Sequence, residues 1–316
     1  MERHQDEREE DRDEKFDALQ AGGAGKFHRR SVARLGVAAG MEGAFSDGRM
    51  AAIPTVKADD ARAEASALVV VPVYNEATNV TKLINSLLAL PVRLDVLIVD
   101  DNSPDGTGAL VRSHAEFSSR VFLLTREGER GFAKACRDGF QWGVARGYAV
   151  CVEMDADFSH DPADIPRLLA AIEGGADIAL GSRYVDGIRV INWPARRLLL
   201  SLFAGAYTRF FSGINLSDPT SGFKAVRSQV LRATDWSQFT ADGYGFIIEF
   251  HFHASRNGFR IAEVPIVFTE RRRGASKMSF KIMLESALRV LRLASYRATH
   301  WRSYPAHAPA ESFHYA

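Results

Sequence analysis

Cysteine is nearly absent from this 316-residue chain, which has only Cys136 and Cys151. Two thiols cannot build a thiolate metal cage or a disulfide scaffold, and such usage suits a reducing, cytoplasmic setting. Neither sign of charge is in excess: 40 Lys and Arg stand against 39 Asp and Glu, a net charge of +1. Nothing therefore drives the whole molecule toward nucleic acid, no nucleic-acid partner is expected, and any site for a polyanion must be local. No apolar run approaches the ~18 residues of a membrane-spanning helix. The charged opening residues do not read as a secretory signal. The remaining composition, 46% hydrophobic and 25% charged, is that of a globular protein with a real core.

Met1 to Arg62 differs in texture from the rest of the chain. Glu2–Lys15 is almost entirely charged, and Gly/Ala-rich stretches lie around Gly22–Gly25 and Val37–Gly40. Without clustered large apolar residues to offset ordering entropy, residues 1–62 read as a disordered tail. Residues 63–297 read as the folded domain that carries the activity, and 298–316 as a flexible C-terminal tail.

From Ala67 on, short apolar runs alternate with helical patterns. Leu68–Val73, Val96–Val99, Val121–Leu124, Ala149–Val152 and Ile178–Leu180 read as strands. Helical periodicity fills Thr78–Leu90, Thr107–Phe117 and Phe132–Arg146 between them. Strands apolar on both faces and separated by helices predict an α/β fold, a mostly parallel central sheet with helices on both faces. Ligands in such folds sit at the carboxyl ends of the strands.

Polar clusters fall at those ends. The first strand yields Pro72, Tyr74, Asn75 and Glu76, and the second yields Val99 and then Asp100-Asp101-Asn102-Ser103-Pro104-Asp105-Gly106. Each alone is ordinary turn chemistry. The fourth strand yields Asp155-Ala156-Asp157, two carboxylates that repel unless a cation joins them. Hard divalent ions take oxygen ligands, and Mg2+ typically uses one or two carboxylates plus substrate phosphates. A dinucleotide fingerprint, a phosphate loop and a nucleophile elbow are all missing. A dehydrogenase, a phosphate-loop NTPase and an α/β-hydrolase are accordingly disfavoured.

Val71-Pro72-Val73-Tyr74-Asn75-Glu76, Val99 to Thr107, Asp155-Ala156-Asp157 and Gly181-Ser182-Arg183-Tyr184 together resemble an inverting family-2 glycosyltransferase. The likeness extends over Ala67–Leu293 and runs to the polyprenol (dolichyl) phosphate mannosyltransferases. It implies the A-type glycosyltransferase fold, GDP-mannose as donor, a polyprenyl phosphate lipid as acceptor, and Mg2+ or Mn2+ as cofactor. It assigns donor contacts to Pro72, Tyr74, Glu76, Val99, Asp101, Asp155, Ala156, Arg271 and Lys277. The acceptor phosphate falls to Arg183, Arg197 and Ser201, the metal to Asp155 and Asp157, and catalytic roles to Asp157, Arg183 and Arg197. Arg271, Ser276 and Lys277 match a loop that closes over phosphates. Relatives often carry Gln two residues beyond the second metal-site Asp; Ser159 stands there, so the third contact is Ser159, water or another side chain. A polyprenyl-phosphate glucosyltransferase, or another family-2 enzyme using a UDP-sugar, is the alternative.

Two anionic phosphates ~5 Å apart repel by about 3 kcal/mol per charge pair at an effective dielectric near 20. Each 1.36 kcal/mol is a tenfold rate factor, so an arginine-rich second half is intelligible beside such chemistry. Glu249, in an apolar helix, reads either as a paired structural carboxylate or as a sugar or loop contact. Two further helices, Leu198–Phe211 and Phe280–Tyr296, mix large apolar residues with flanking Arg and read as core helices or as interfacial ones. The expectation is a peripheral protein at the cytoplasmic face of a membrane, resting on the membrane surface or borrowing a membrane-anchoring partner protein.

Overall fold

The computed structural model describes residues 67–239, 241, 243–270 and 280–299. The expected N-terminal tail lies outside the described residues. The five expected strands are β1 (Ala67–Val73), β2 (Leu94–Asp100), β3 (Val121–Thr125), β4 (Val150–Glu153) and β5 (Ile178–Ser182). Between them lie α1 (Val80–Leu88), α2 (Thr107–Arg112), α3 (Phe132–Ala145) and α4 (Ile165–Glu173). The second half adds β6 (Val190–Ile191), α5 (Ala195–Ser212), β7 (Lys224–Arg227), α6 (Ser228–Ala233), α7 (Tyr244–Arg256), β8 (Ile261–Pro265), β9 (Phe268–Thr269) and α8 (Phe280–Thr299).

Several boundaries differ from the sequence reading, two of them for a visible local reason. α2 stops at Arg112 rather than reaching Phe117, because Ser113 to Phe117 turns back on itself and Glu116 N–H donates to His114 Nδ1 at 3.1 Å. Ala298 and Thr299, placed in the C-terminal tail, instead complete α8, where Thr299 Oγ1 donates to Ser295 O.

The seven-stranded sheet has the order β3-β2-β1-β4-β7-β5-β8. β7 alone runs antiparallel, wedged between β4 and β5. β6 and β9 pair separately. Successive β1 residues point to opposite faces, as the period of two requires. Leu68 and Val70 belong to one buried cluster with Phe140 of α3 and Phe250 of α7, whereas Val69 and Val71 belong to another with Leu83 and Ile84 of α1. α3 lies close on the sheet where Gly139 and Gly143 face it: a Cβ on Gly143 would sit 2.8 Å from Cys151 Sγ. The register pairs Val73 with Asp100 and Pro72 with Val99, so the β1 and β2 loops leave the same edge side by side.

Candidate active site

The two loops are laced together by short polar side chains. Asn75 and Asn102 take left-handed backbone (φ 61° and 57°), a conformation Asn tolerates better than most residues. Asn75 N donates to Ser103 Oγ, Glu76 N to Thr107 Oγ1 and Ala77 N to Asp105 Oδ2, each at 3.0 Å. Desolvation alone would raise Asp105, but the hydrogen bonds from Thr107 and Ala77 outweigh it and hold the carboxyl below its ordinary range. Asp105 is thus a knot that fixes the loop pair.

On this scaffold Asp101 is buried and ion-paired with Arg126, and it accepts from Gly131 N at 3.0 Å. Arg126 is held in turn by Asp138 at 2.9 Å. Arg130 donates to the Tyr74 hydroxyl at 2.7 Å and lies 4.3 Å from its ring centroid. Glu76 accepts from Asn79 Nδ2 at 2.8 Å. Pro72 and Val99 are partners in the β1–β2 register, and the Val99 side chain is buried in the core beside Gly139 of α3. The contacts above gather Tyr74 and Asp101 with the 126–131 loop, while Glu76 faces Asn79 at the start of α1.

Asp155 and Asp157 leave the end of β4 half-buried, flanking buried Ala156. Asp157 Oδ1 accepts from Ser159 N at 3.0 Å and from Ser159 Oγ at 2.6 Å, so the Ser159 hydroxyl turns toward Asp157. His160 is packed between Phe223 and Phe268, with centroids 5.0 and 5.1 Å away. Burial depresses its pKa to about 4, against the pull of Asp157, so the ring is neutral. Behind the aspartates, Glu153 makes a fully buried ion pair with Lys224 of β7 at 2.6 Å. That pair ties the strand feeding Asp155 to its antiparallel neighbour.

The arginine cluster lies beyond β5. Asp218 clamps Arg183 through Nε and Nη2, both at 2.6 Å, and accepts from its backbone N–H at 3.1 Å. Burial would raise Asp218, but the Arg183 guanidinium more than reverses this and holds the carboxyl low. Glu263 of β8 fixes the clamp by accepting from the backbone N–H groups of Ser217 and Asp218 at 2.7 and 2.9 Å. Arg197, in the first turn of α5, pairs with Glu270 at 2.6 Å and stacks 4.2 Å from the Trp193 ring centroid. The Arg183 guanidinium is 5.5 Å from that ring and 5.2 Å from Tyr184, whose hydroxyl donates to Ser201 Oγ at 2.8 Å. Arg183, Arg197 and Ser201 therefore share one patch organised around Trp193 and Tyr184. A cleft of about 410 Å³ opens beside it, between Tyr184, Ile188, Ser201, Gly205 and Leu216. Arg271, Ser276 and Lys277 lie outside the described residues, although Glu270, the Arg197 partner, leads directly into them. Glu249 is buried in α7 and accepts from Ala241 N at 3.4 Å.

Residues 68–234 match the glycosyl transferase family 2. The chain belongs to that family. It is 46% identical over 224 residues to a polyprenol monophosphomannose synthase of Mycolicibacterium smegmatis, covering 71% of this chain and 84% of the relative. It is 43% identical over 225 residues to an undecaprenyl-phosphate mannosyltransferase of Micrococcus luteus, covering 71% and 92%. Its fold is similar to that of glucosyl-3-phosphoglycerate synthase from Mycobacterium tuberculosis solved with Mn2+ and UDP-glucose. That match has a TM-score of 0.52 and 20% identity, and covers 78% of this chain and 82% of that one.

Several residues of this family-2 site had no signal in the sequence. Arg126 and Arg130 sit in an unremarked loop after β3, and only the ion pair with Asp101 and the stack on Tyr74 connect them to the site. Asp218 opens Asp218-Pro219-Thr220-Ser221-Gly222-Phe223, which resembles a family segment and reads as a turn near the acceptor side, but its grip on Arg183, 35 residues away, has no local signal; Glu263 lies in an unassigned segment and holds Asp218 from 45 residues away. The partial signal was chemical: a buried arginine requires a carboxylate.

Proposed function

We propose that this chain transfers mannose from GDP-mannose to a polyprenyl phosphate, with inversion at the anomeric carbon. The observation that carries this reading is the pairing of Asp155 and Asp157 at the β4 end with the Arg183–Arg197–Ser201 patch beyond β5. One group suits a nucleotide diphosphate, the other a second phosphate. The names of the two mannosyltransferase relatives support the donor sugar and the lipid acceptor.

The donor set at β4 is all oxygen, which suits Mg2+ or Mn2+. Among the described residues no group of three or more His, Cys, Asp or Glu side chains gathers for a metal. That fits a hard cation whose shell is completed by phosphate oxygens and water. The structural neighbour solved with Mn2+ supports the same choice. Asp155 and Asp157 would hold the ion, which supplies charge stabilisation for the departing diphosphate. Asp157 is oriented by its bonds from Ser159. Tyr74 and Asp101 with Arg126 wall the nucleotide side.

A hydroxyl acceptor needs a base to take its proton, whereas a phosphate monoester is already anionic near neutral pH. No base is therefore assigned. An acceptor phosphate oxygen forms the new bond to the anomeric carbon, the bond from that carbon to the diphosphate oxygen breaks, and GDP leaves with the electron pair. Arg183 and Arg197 hold the attacking phosphate, and the Asp218 clamp and the Trp193 stack keep the two guanidiniums oriented before it arrives. No helix among the described residues is long and apolar enough to cross a membrane. The acceptor is a membrane lipid, and the enzyme works on it from the cytoplasmic surface of the bilayer, the reducing side that suits the free thiols Cys136 and Cys151.

The test is incubation of the purified chain with Mg2+, a short polyprenyl phosphate and GDP-mannose, UDP-glucose or UDP-galactose in parallel. A mannosyl lipid from GDP-mannose alone is expected. A glucosyl lipid from UDP-glucose, with none from GDP-mannose, would overturn the donor assignment.

A further inference from the structure

The two arginines assigned to the acceptor phosphate are held in opposite ways. Arg183 is buried, and Asp218 grips it through two guanidinium nitrogens and its backbone N–H. That clamp stays shut, because parting it would leave an uncompensated buried charge. Among the described residues Arg197 has one carboxylate partner, Glu270, with Nη1 2.6 Å from Oε1 and the two side chains 31% and 34% exposed. An ion pair this open to water is worth little, and either partner is solvated or re-paired at small cost. The backbone beside it is pinned: Glu270 N donates to Ile191 O of β6 at 3.2 Å, and Thr269 N donates to Ser159 O at 3.1 Å. Arg197 is fixed independently of Glu270 by its stack on Trp193, which packs edge-on against Phe268 at 5.3 Å. Only the Glu270 side chain has to turn away to present a positioned guanidinium to a ligand. Arg197 sits in the first turn of α5, whose N-cap Pro194 offers no side-chain acceptor to the first N–H groups. The positive end of this 18-residue helix therefore adds to the pull on anions. An anion seat is thus filled by the protein's own carboxylate.

We propose that Glu270 is a placeholder for the acceptor phosphate: it neutralises Arg197 until substrate arrives, yields it to the incoming phosphate monoester, and takes it back after transfer. This rests on the proposed reaction, which changes the charge of the group that Arg197 holds. A phosphate monoester, with a second pKa of about 6, is mostly a dianion at pH 7. Joined to the sugar it is a diester with one negative charge. Arg197 therefore holds the product less tightly than the acceptor, while the carboxylate competing for it is unchanged. The exchange favours phosphate when acceptor binds and Glu270 once the sugar has moved, so Glu270 works against retention of product.

The experiment compares the full chain as wild type, Glu270→Gln, Arg197→Met and the double variant. Calorimetric titrations with GDP and Mg2+ present measure binding of a short, water-soluble polyprenyl phosphate and of its mannosylated product. Steady-state kinetics with GDP-mannose give the acceptor and donor KM. Both side chains are partly exposed, so the variants keep their core. Expected in Glu270→Gln are an acceptor Kd and KM about three- to fivefold lower, the range of a half-exposed ion pair. The product Kd should fall by the same factor, and the GDP-mannose KM should not move. In the Arg197→Met background the same substitution should shift none of these values. An acceptor KM that rises in Glu270→Gln overturns the inference and makes Glu270 a fixed support of Arg197. An unmoved acceptor Kd overturns it too, as does an equal gain in the Arg197→Met background. Absence of transfer by wild type would refute the proposed reaction and leave the titrations to judge Glu270 alone.

Discussion

Replacing Lys224 with methionine keeps the length of the side chain and deletes its charge. Lys224 Nζ lies 2.6 Å from Glu153 Oε2, with the two side chains 0% and 2% exposed. Burial already pushes the Glu153 carboxyl up, with Lys224 the chief opposing influence. Once the lysine is gone, the cheapest state for Glu153 is protonated. Starting from an ordinary value of 4.5, protonation at pH 7 costs about 3 kcal/mol at 1.36 kcal/mol per unit. This agrees with the roughly 3–5 kcal/mol seen when one partner of a buried pair is removed. Because losing Lys224 raises the carboxyl further in the folded state and leaves the unfolded chain unchanged, the penalty grows as pH rises above the unfolded value. It should shrink by about 1.4 kcal/mol per unit on acidification, to under ~1 kcal/mol at pH 5. Urea unfolding of wild type, Lys224→Met and Glu153→Gln/Lys224→Met at pH 5 and 7 measures this directly, and the double variant should recover most of the loss. A single variant within about 1 kcal/mol of wild type at pH 7, or an equal penalty at both pH values, would refute the reasoning.

Asp157→Asn should lower turnover by about a thousandfold, the effect of losing roughly 4 kcal/mol of charge stabilisation, and excess Mn2+ should restore part of it; steady-state kinetics across a metal titration checks both. Asp218→Asn should raise the acceptor KM by about tenfold while the donor KM stays near wild type, because the clamp it breaks orients Arg183 alone. His251 and His160 are buried and neutral, held by desolvation at about 3 and about 4. Both charge in the unfolded chain below ~6.5, so stability should be flat above that pH and fall by about 3 kcal/mol per unit between roughly pH 5.5 and 4.5. His251→Asn should halve that slope in thermal melts across the range.

The five strands and the mostly parallel sheet were legible because their residues are apolar on both faces, a pattern that only a doubly covered sheet satisfies. β7 was not legible. Lys224-Ala225-Val226-Arg227 begins and ends in charge, and only the antiparallel register that sets Lys224 opposite Glu153 makes it a core strand. Asp155 and Asp157 stood out through the convergence of acids at one sheet edge, an argument that needs order along the chain but no coordinates. Arg126, Arg130 and Glu263 act through partners distant in sequence, and no local spacing announces them. The α5 segment was ambiguous between core and interface because its composition suits both. Burial of Gly205, Thr208 and Ser212, rather than of its phenylalanines, separates the two.

The most direct measurement is anomalous scattering from crystals of the chain grown with GDP and Mn2+, beside crystals of Asp157→Asn grown the same way. A manganese peak next to the Asp155 and Asp157 carboxylates, shared with diphosphate oxygens and lost in the variant, is the expected result. Nucleotide bound with no metal at those carboxylates would contradict it, and with it the idea that a cation there lets one phosphate displace another at a sugar carbon.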